Sequence, residues 1–324
     1  MTKAIVLHET GGPEKLRWEN VEVGEPGEGE LRIRHSAVGV NFHDTYVRSG
    51  SYRTLPLPGI PGVEAAGVVE RAGPGVSGFA VGDRVSYINE QYGGYAEARL
   101  LPARLALKIP DWLTDEAAAA LTVKGLTACM LLRRVHEVQA GEKLLVHAAA
   151  GAVGQLLVRW AKQLGATVIA TVGSAEKARI ARECGADEVI LYREEDFVAR
   201  VARLTRDEGV EVAYDGVGAA TFAGSLDCLG LLGTLVNFGQ SSGPVAPFSV
   251  SRLAMRSNTL VRPLLFHYIR ERAALEAMAA EAFAAMRSGV IRATIGLKLP
   301  LARAGEAHTA LESRATSGAI VLVP

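Results

Sequence analysis

In the stretch Lys143–Gly165, KLLVHAAAGAVGQLLVRWAKQLG, three small residues stand at the spacing of a phosphate-binding turn: Ala149, Gly151 and Gly154, read as A-x-G-x-x-G. The first small residue of such a turn permits a tight bend, the second lets backbone approach a pyrophosphate, and the third lets a helix pack closely on a strand. Read alone, the pattern fits an alanine-rich helix entry as well. Its setting favours the turn. An apolar strand precedes it, and Val153, Leu156, Leu157, Trp160 and Leu164 after it form the apolar stripe of a helix whose free N–H groups would face an anion. The next strand ends in TVGSAEK. A site for NAD places a carboxylate there, about 20 residues past the turn, to hold the adenosine ribose. Gly173 and Ser174 occupy that place, with Lys177 one turn on. A hydroxyl and an ammonium suit the additional 2′-phosphate of NADPH. Glu176 opposes this reading, and the alternative for Lys177 is a solvated residue on the first turn of a helix.

The elements that must hold these residues follow from the pattern around them. Up to about Gly125, glycine and proline recur between short apolar runs such as ELRIRHSAV and AAGVVE, which reads as a compact β-rich domain. Residues Asp115 to Leu132 read as a helix opened by acidic residues. From about Glu142, strand, turn and helix alternate. KLLVHAA, TVIATVG, DEVILY, VEVAYDGVG, GTLVNFG and a weaker NTLVRP are the strands, and helices over Val153–Leu164, Glu176–Glu183, Glu195–Arg206 and TFAGSLDCL lie between them. That rhythm implies a parallel sheet covered on both faces. An Ala-rich helix from Arg270 to Arg287 follows, and the last residues offer a helix and a terminal strand that returns to the first domain.

Bulk composition narrows the function class. The chain has 324 residues, enough for two domains, with 49% hydrophobic and 22% charged residues, an ordinary globular balance. Thirty-five basic residues balance 35 acidic ones, which argues against a nucleic-acid partner. Cys129, Cys184 and Cys228 are far apart and odd in number, which suits buried thiols in a reducing, cytoplasmic setting. The N-terminal apolar run is too short for a signal peptide, and no stretch suits a membrane span.

Taken in order, AVGVNFHDTYVRSGSY, PGVEAAGVV, GDRV, HAAAGAVG, YDGVG, FGQSSG and LESRATSG resemble the quinone oxidoreductases of the medium-chain dehydrogenase/reductase superfamily, the zeta-crystallin group, over essentially the whole chain. The resemblance implies an α/β fold. A GroES-like β-rich catalytic domain would span residues 1–125, completed by 267–324, and a Rossmann domain with a doubly wound parallel sheet would bind NADPH over 126–266. Where zinc-dependent relatives carry a Cys and a His of a G-H-E motif, this chain has Asn41 and Val63, and it has no Cys-x-x-Cys. Zinc needs thiolate, imidazole or carboxylate ligands. Although His43 and Glu64 remain nearby, no metal is expected. The family's usual G-G-V-G reads Gly151-Ala152-Val153-Gly154 here, an added methyl that the turn should tolerate.

The same resemblance assigns roles to residues. Asn41, Asp44, Tyr46 and Tyr52 would line the catalytic pocket, with Asn41, Phe42 and Tyr46 also touching the nicotinamide end of the cofactor. Thr127 and Met130 would approach the nicotinamide, and Gly151, Ala152 and Val153 would lie under the pyrophosphate. Gly173, Ser174, Lys177 and Tyr192 would form the adenosine-phosphate pocket. Val217, Phe238, Gly239, Gln240, Ser241 and Ser242 sit at carboxyl ends of strands, where open sheets bind ligands. Leu264 and Leu265 would close over the nicotinamide, and Arg314 would reach a cofactor phosphate. The implied activity is hydride transfer from NADPH to a quinone or other electron-poor acceptor, unaided by metal. Two other readings stand beside it: a zinc-free reductase of alkenals or enones, and an NADPH-binding structural or RNA-binding protein with little turnover. The resemblance further implies a homodimer or homotetramer.

Overall fold

A computed structural model describes residues 2–314 and 316–324, which divide into two compact units, residues 2–123 with 293–324 and residues 124–292. In the first unit the strand Glu30–Val40 is the spine. It alternates inward Leu31 and Ile33 with outward Arg32 and Arg34, as a half-buried strand must. It pairs antiparallel with Glu64–Ala72, placing Val38 opposite Ala65, and with Ala98–Pro102, placing Leu31 opposite Leu101. Its far end takes the terminal strand Ala319–Val323, Ile320 lying opposite Val40, so the chain's end does return to the first unit. A strand that the sequence pattern did not announce, Ile295–Pro300, runs parallel to that terminal strand and ends the sheet.

Two histidines are locked inside this unit. The His35 Nδ1–H donates to the Ala96 carbonyl at 2.6 Å, which leaves Nε2 to accept from the Tyr87 hydroxyl at 2.9 Å. His308, on the helix Ala304–Glu312, has its Nδ1 3.3 Å from the Arg48 guanidinium, a donor only, so Nδ1 accepts. Its Nε2–H then faces the Tyr95 hydroxyl at 2.9 Å. Arg48 is buried and donates to both carboxylate oxygens of Glu312, at 3.0 and 2.7 Å, tying the returning tail to the helix Phe42–Ser49.

The second unit is a six-stranded, all-parallel sheet. Its spatial order is Glu188–Leu191, Thr167–Val172, Lys143–Val146, Val210–Asp215, Leu229–Asn237, Thr259–Val261. The order of travel along the sheet reverses between Lys143–Val146 and Val210–Asp215, the place where open α/β sheets bind ligands outside the carboxyl ends of their strands. The helices Ala152–Gln163, Ala175–Glu183, Phe197–Thr205 and Phe222–Asp227 connect the strands, matching the expected segments to within two residues wherever an end was marked.

One boundary differs from the sequence reading. Residues 267–292 lie with the nucleotide unit rather than completing the β-rich one. The helix Arg272–Arg287 packs there: the Met286 terminal methyl would lie 3.0 Å from any Cβ on Gly125, and Glu281 pairs with Arg134 and takes the Cys129 thiol at 3.7 Å. Gly125 and Cys129 belong to the helix Asp115–Met130, which then continues as one wide turn, Leu131–Val135. No described helix is long and apolar enough to cross a membrane.

Burial pushes His35 down to about 4, and burial together with the Arg48 charge pushes His308 down to about 3. An unfolded histidine titrates near 6.5. Between these values the unfolded chain binds protons that the folded chain refuses, so stability is whole above about pH 6.5 and falls as pH drops toward 4. Melting temperatures recorded from pH 7 to pH 4 should decline accordingly. His308→Asn should show a shallower decline from a lower starting point.

Candidate functional site

The opening turn is built on a close backbone approach. Ala148 takes a left-handed φ of 51°, Gly151 follows with φ −74° as the N-cap, and the helix Ala152–Gln163 begins. The bend therefore falls on Ala148, not on Ala149 where a first glycine would stand. That is why alanine suffices at 149. Gly154 is obligatory: a Cβ there would lie 2.8 Å from the Ala149 Cα and closer still to the Ala148 carbonyl oxygen. No side chain caps this helix, so its first N–H groups remain available to a bound anion. The buried Gln155 side chain donates to the Ala150 carbonyl at 2.9 Å and fixes the turn from behind.

At the end of the next strand Ser174 caps the helix Ala175–Glu183, its Oγ accepting from the Lys177 N–H at 3.3 Å. A Cβ on Gly173 would lie 2.7 Å from the Tyr192 hydroxyl, so the phenol rests over that glycine. Gly173, Ser174, Lys177 and Tyr192 thus gather at one corner.

Two further loops at strand ends are knit into one surface. Ser242 Oγ donates to the Val217 carbonyl at 2.7 Å, the Ser242 N–H reaches the same oxygen at 2.8 Å, and the Ser241 N–H reaches the Gly216 carbonyl at 3.2 Å. Phe238 lies against Gly216, and a Cβ on Gly239 would lie 2.6 Å from the Gly216 carbonyl oxygen. Gly218 has φ +86° and would carry a Cβ 2.9 Å from the Gln240 Cα. Arg262, which the sequence reading passed over, holds this loop: its Nη1 donates to the Asn237 and Gly239 carbonyls at 3.0 and 2.8 Å.

Beneath both loops lies Asp215, fully buried at the end of the strand Val210–Asp215. Its Oδ1 accepts from the Val217 and Gly218 N–H groups at 2.7 and 3.0 Å and from Thr221 Oγ1 at 2.9 Å, and Oδ2 lies 3.2 Å from Ser225 Oγ. Ser225 touches His147 Nε2 at 2.9 Å, and His147 Nδ1 touches Thr171 Oγ1 at 2.8 Å. Burial lowers the His147 pKa, which keeps the ring a neutral bridge. Of the remaining expected residues in this unit, Thr127 is half-buried, Met130 is in the core, Leu264 is exposed, and Leu265 is buried at the start of a short helix.

In the first unit Asn41 caps the helix Phe42–Ser49. Its side-chain N–H donates to Glu64 Oε2 at 3.0 Å, and Glu64 Oε1 accepts from the Val123 N–H at 2.5 Å. Asp44 departs from the expected pocket lining. It is fully buried, and its Oδ2 accepts from the Asn41 N–H at 2.8 Å and the Tyr95 hydroxyl at 3.2 Å, which makes it a brace of the helix start. The half-buried face carries aromatic rings instead: Tyr46 and Tyr52 meet edge-on at 5.1 Å, Phe42 lies 6.2 Å from Tyr46, and His43 meets Tyr52 at 5.5 Å. His43 Nε2 contacts the Tyr92 hydroxyl at 3.2 Å, Tyr92 meets Thr54, and burial pushes His43 down to about 4. Arg314 is exposed just past the helix Ala304–Glu312, with φ +56°.

The donor set does not fit zinc. The Asn41 amide nitrogen is spent as a donor to Glu64, Val63 has no ligand atom, and among the described residues no three His, Cys, Asp or Glu side chains are grouped to hold a metal ion.

Comparison with known proteins agrees with this architecture. Residues 27–111 match the alcohol dehydrogenase GroES-like domain and residues 152–281 match the zinc-binding dehydrogenase family. A quinone oxidoreductase of Pseudomonas aeruginosa is 44% identical, and a 2-haloacrylate reductase of a Burkholderia species is 42% identical; each comparison covers 100% of this chain and, respectively, 100% and 99% of that protein. The chain belongs to the quinone oxidoreductase family, within the medium-chain dehydrogenase/reductase superfamily. Among solved structures, Escherichia coli quinone oxidoreductase complexed with NADPH superposes with a TM-score of 0.97 at 43% identity, over 99% of this chain and 100% of that one. The Pseudomonas syringae quinone oxidoreductase gives 0.97 at 42%, over the whole of both chains.

Asp215→Asn replaces an acceptor-only group with one that turns an N–H₂ toward existing donors. We expect it to cost about 1–3 kcal/mol of stability. A urea midpoint lowered at unchanged m-value is the expected readout; an unaltered midpoint would contradict the assigned role.

Proposed function

We propose that this chain is an NADPH-dependent quinone reductase that passes hydride directly to its acceptor without a metal ion. The observation that supports the reading is the helix start at Gly173, Ser174 and Lys177, where Ser174 Oγ accepts from the Lys177 N–H and the sequence offers a hydroxyl and a lysine where a site for NAD would present a carboxylate. Bound NADPH would supply the hydride. The free N–H groups at Ala152 and Val153 would take its pyrophosphate, Ser174 and Lys177 its 2′-phosphate, and Val217 with Phe238–Ser242 its nicotinamide half. Tyr46 and Tyr52 would hold a planar acceptor and donate to the oxygen on which negative charge develops. Reducing a quinone to a hydroquinone takes one hydride and one proton, so these hydroxyls, resupplied by water, would complete the balance. Asn41, its amide fixed by Glu64, would orient the same pocket.

The 2-haloacrylate reductase relative supports a second reading, reduction of an activated alkene by the same hydride step. The wall of Phe42, His43, Tyr46 and Tyr52 favours a neutral acceptor. With His43 held near 4 it carries no positive charge at neutral pH to receive a carboxylate. We further propose a cytoplasmic homodimer or homotetramer that pairs through the edge strand Thr259–Val261, next to the exposed Leu231, Leu232 and Met255.

Lys177→Ala should raise the KM for NADPH so that preference over NADH falls about tenfold, the scale of one charge-assisted phosphate contact. An equal rise for both cofactors would refute the phosphate assignment. Stopped-flow NADPH oxidation across quinones, enones and 2-haloacrylates, with and without a chelator, tests the rest. Quinones are expected to react fastest and the chelator to change nothing. Chelator inhibition reversed by zinc would overturn the metal-free mechanism.

A further inference from the structure

Arg193 follows Tyr192 at the end of the strand Glu188–Leu191 and is not among the residues that the sequence singled out. Its Nε lies 3.5 Å from the point where a Cβ on Gly173 would stand, the same point that the Tyr192 hydroxyl approaches to 2.7 Å. The guanidinium therefore borders the Gly173–Ser174 corner. Lys177 approaches that corner from the helix it opens. Two nearby acids are turned to another partner. Glu195 is 4.0 Å from Arg200, which also pairs with Glu188 at 3.3 Å, and among the described residues no carboxylate forms an ion pair with Arg193. Arg193 is thus an exposed cation beside a candidate phosphate site, in a chain whose charged side chains are widely paired.

We propose that Arg193 is a specificity-determining residue for the phosphorylated cofactor, donating to the 2′-phosphate. This rests on the NADPH reading above. A planar guanidinium offers two parallel N–H groups to a phosphate, whereas the Lys177 ammonium acts as a point charge, so the two are complementary rather than redundant.

The test compares 2′,5′-ADP with 5′-AMP, which differ by the 2′-phosphate alone, in calorimetric titrations of wild type, Arg193→Met and Arg193→Lys. Because Arg193 is exposed and unpaired, the variants should fold. Arg193→Met is expected to weaken 2′,5′-ADP about tenfold and 5′-AMP less than twofold, with Arg193→Lys between, and the difference should shrink as salt screens the contact. Equal weakening of both nucleotides would overturn the proposal by placing the guanidinium on the adenine or ribose, and undiminished preference in Arg193→Met would overturn it as well. Should wild type itself bind the two nucleotides equally, the NADPH reading fails along with it; a wild-type preference that survives the substitution removes Arg193 alone.

Discussion

The ligand loops of the nucleotide unit are organised by one buried negative charge. Asp215 is sealed from water at the end of a central strand, and a carboxylate in that position is tolerable only while donors surround it. Among the described residues no cationic side chain is bonded to it. Two backbone N–H groups and two hydroxyls do the work, and all four belong to the turn and helix that follow the strand. Moving the Val217–Gly218 turn would strand the charge. Through Ser225 and His147 the same carboxylate reaches Thr171 on the strand Thr167–Val172, so the ends of three neighbouring strands are cross-tied where the sheet reverses. Gly218 and Gly239 then allow the 238–243 loop to lie directly on this braced turn, and Arg262 fastens it from the next strand end.

The first unit uses buried charge for the same purpose on a helix. Asp44 and Arg48, one turn apart, point inward, while Phe42 and Tyr46, also one turn apart, occupy the half-exposed face. This reverses the usual amphipathic arrangement. The inward pair is held by Tyr95 and the Asn41 N–H at Asp44 Oδ2, and by the Gly11 carbonyl and the bidentate Glu312 at Arg48. A relay of hydrogen bonds runs from the tail helix through His308 and Tyr95 to Asp44, so the N-cap that presents Asn41 is registered against the end of the chain. Glu64 fixes the other side of Asn41: a carboxylate can only accept, so the amide must turn its nitrogen to Glu64 and its oxygen away.

These arrangements explain what could and could not be read from the sequence. The alternation of apolar strands with amphipathic helices was legible because each element buries its face locally, and the glycine spacing was legible because Gly154 answers to a carbonyl only six residues away. Asp44 was misjudged because a polar residue on a short helix ordinarily faces water, and its partner Tyr95 lies 51 positions further on. Arg262 was missed for a similar reason: the carbonyls it holds belong to a loop more than 20 residues earlier. The helix Arg272–Arg287 was placed with the wrong unit because alanine-rich faces pack equally well in many settings. Glu281, pairing 147 residues back to Arg134, and Met286 against Gly125 mark where it belongs.

The chemical division between the units follows from the charges of what they would hold. The cofactor carries several negative phosphates, and its proposed surface consists of unclaimed N–H groups, a hydroxyl and cations. A quinone is neutral until hydride arrives, and its proposed wall is uncharged and aromatic, with an imidazole that burial keeps from protonating. The hydroxyls of Tyr46 and Tyr52 would donate more strongly to the acceptor oxygen as negative charge builds on it, and so would favour the hydride step itself. In the proposed reaction, an acceptor activated by its own carbonyl groups would need alignment and a proton rather than a Lewis acid, and Asn41 and Val63, where the resemblance expects zinc ligands in zinc-dependent relatives, offer none.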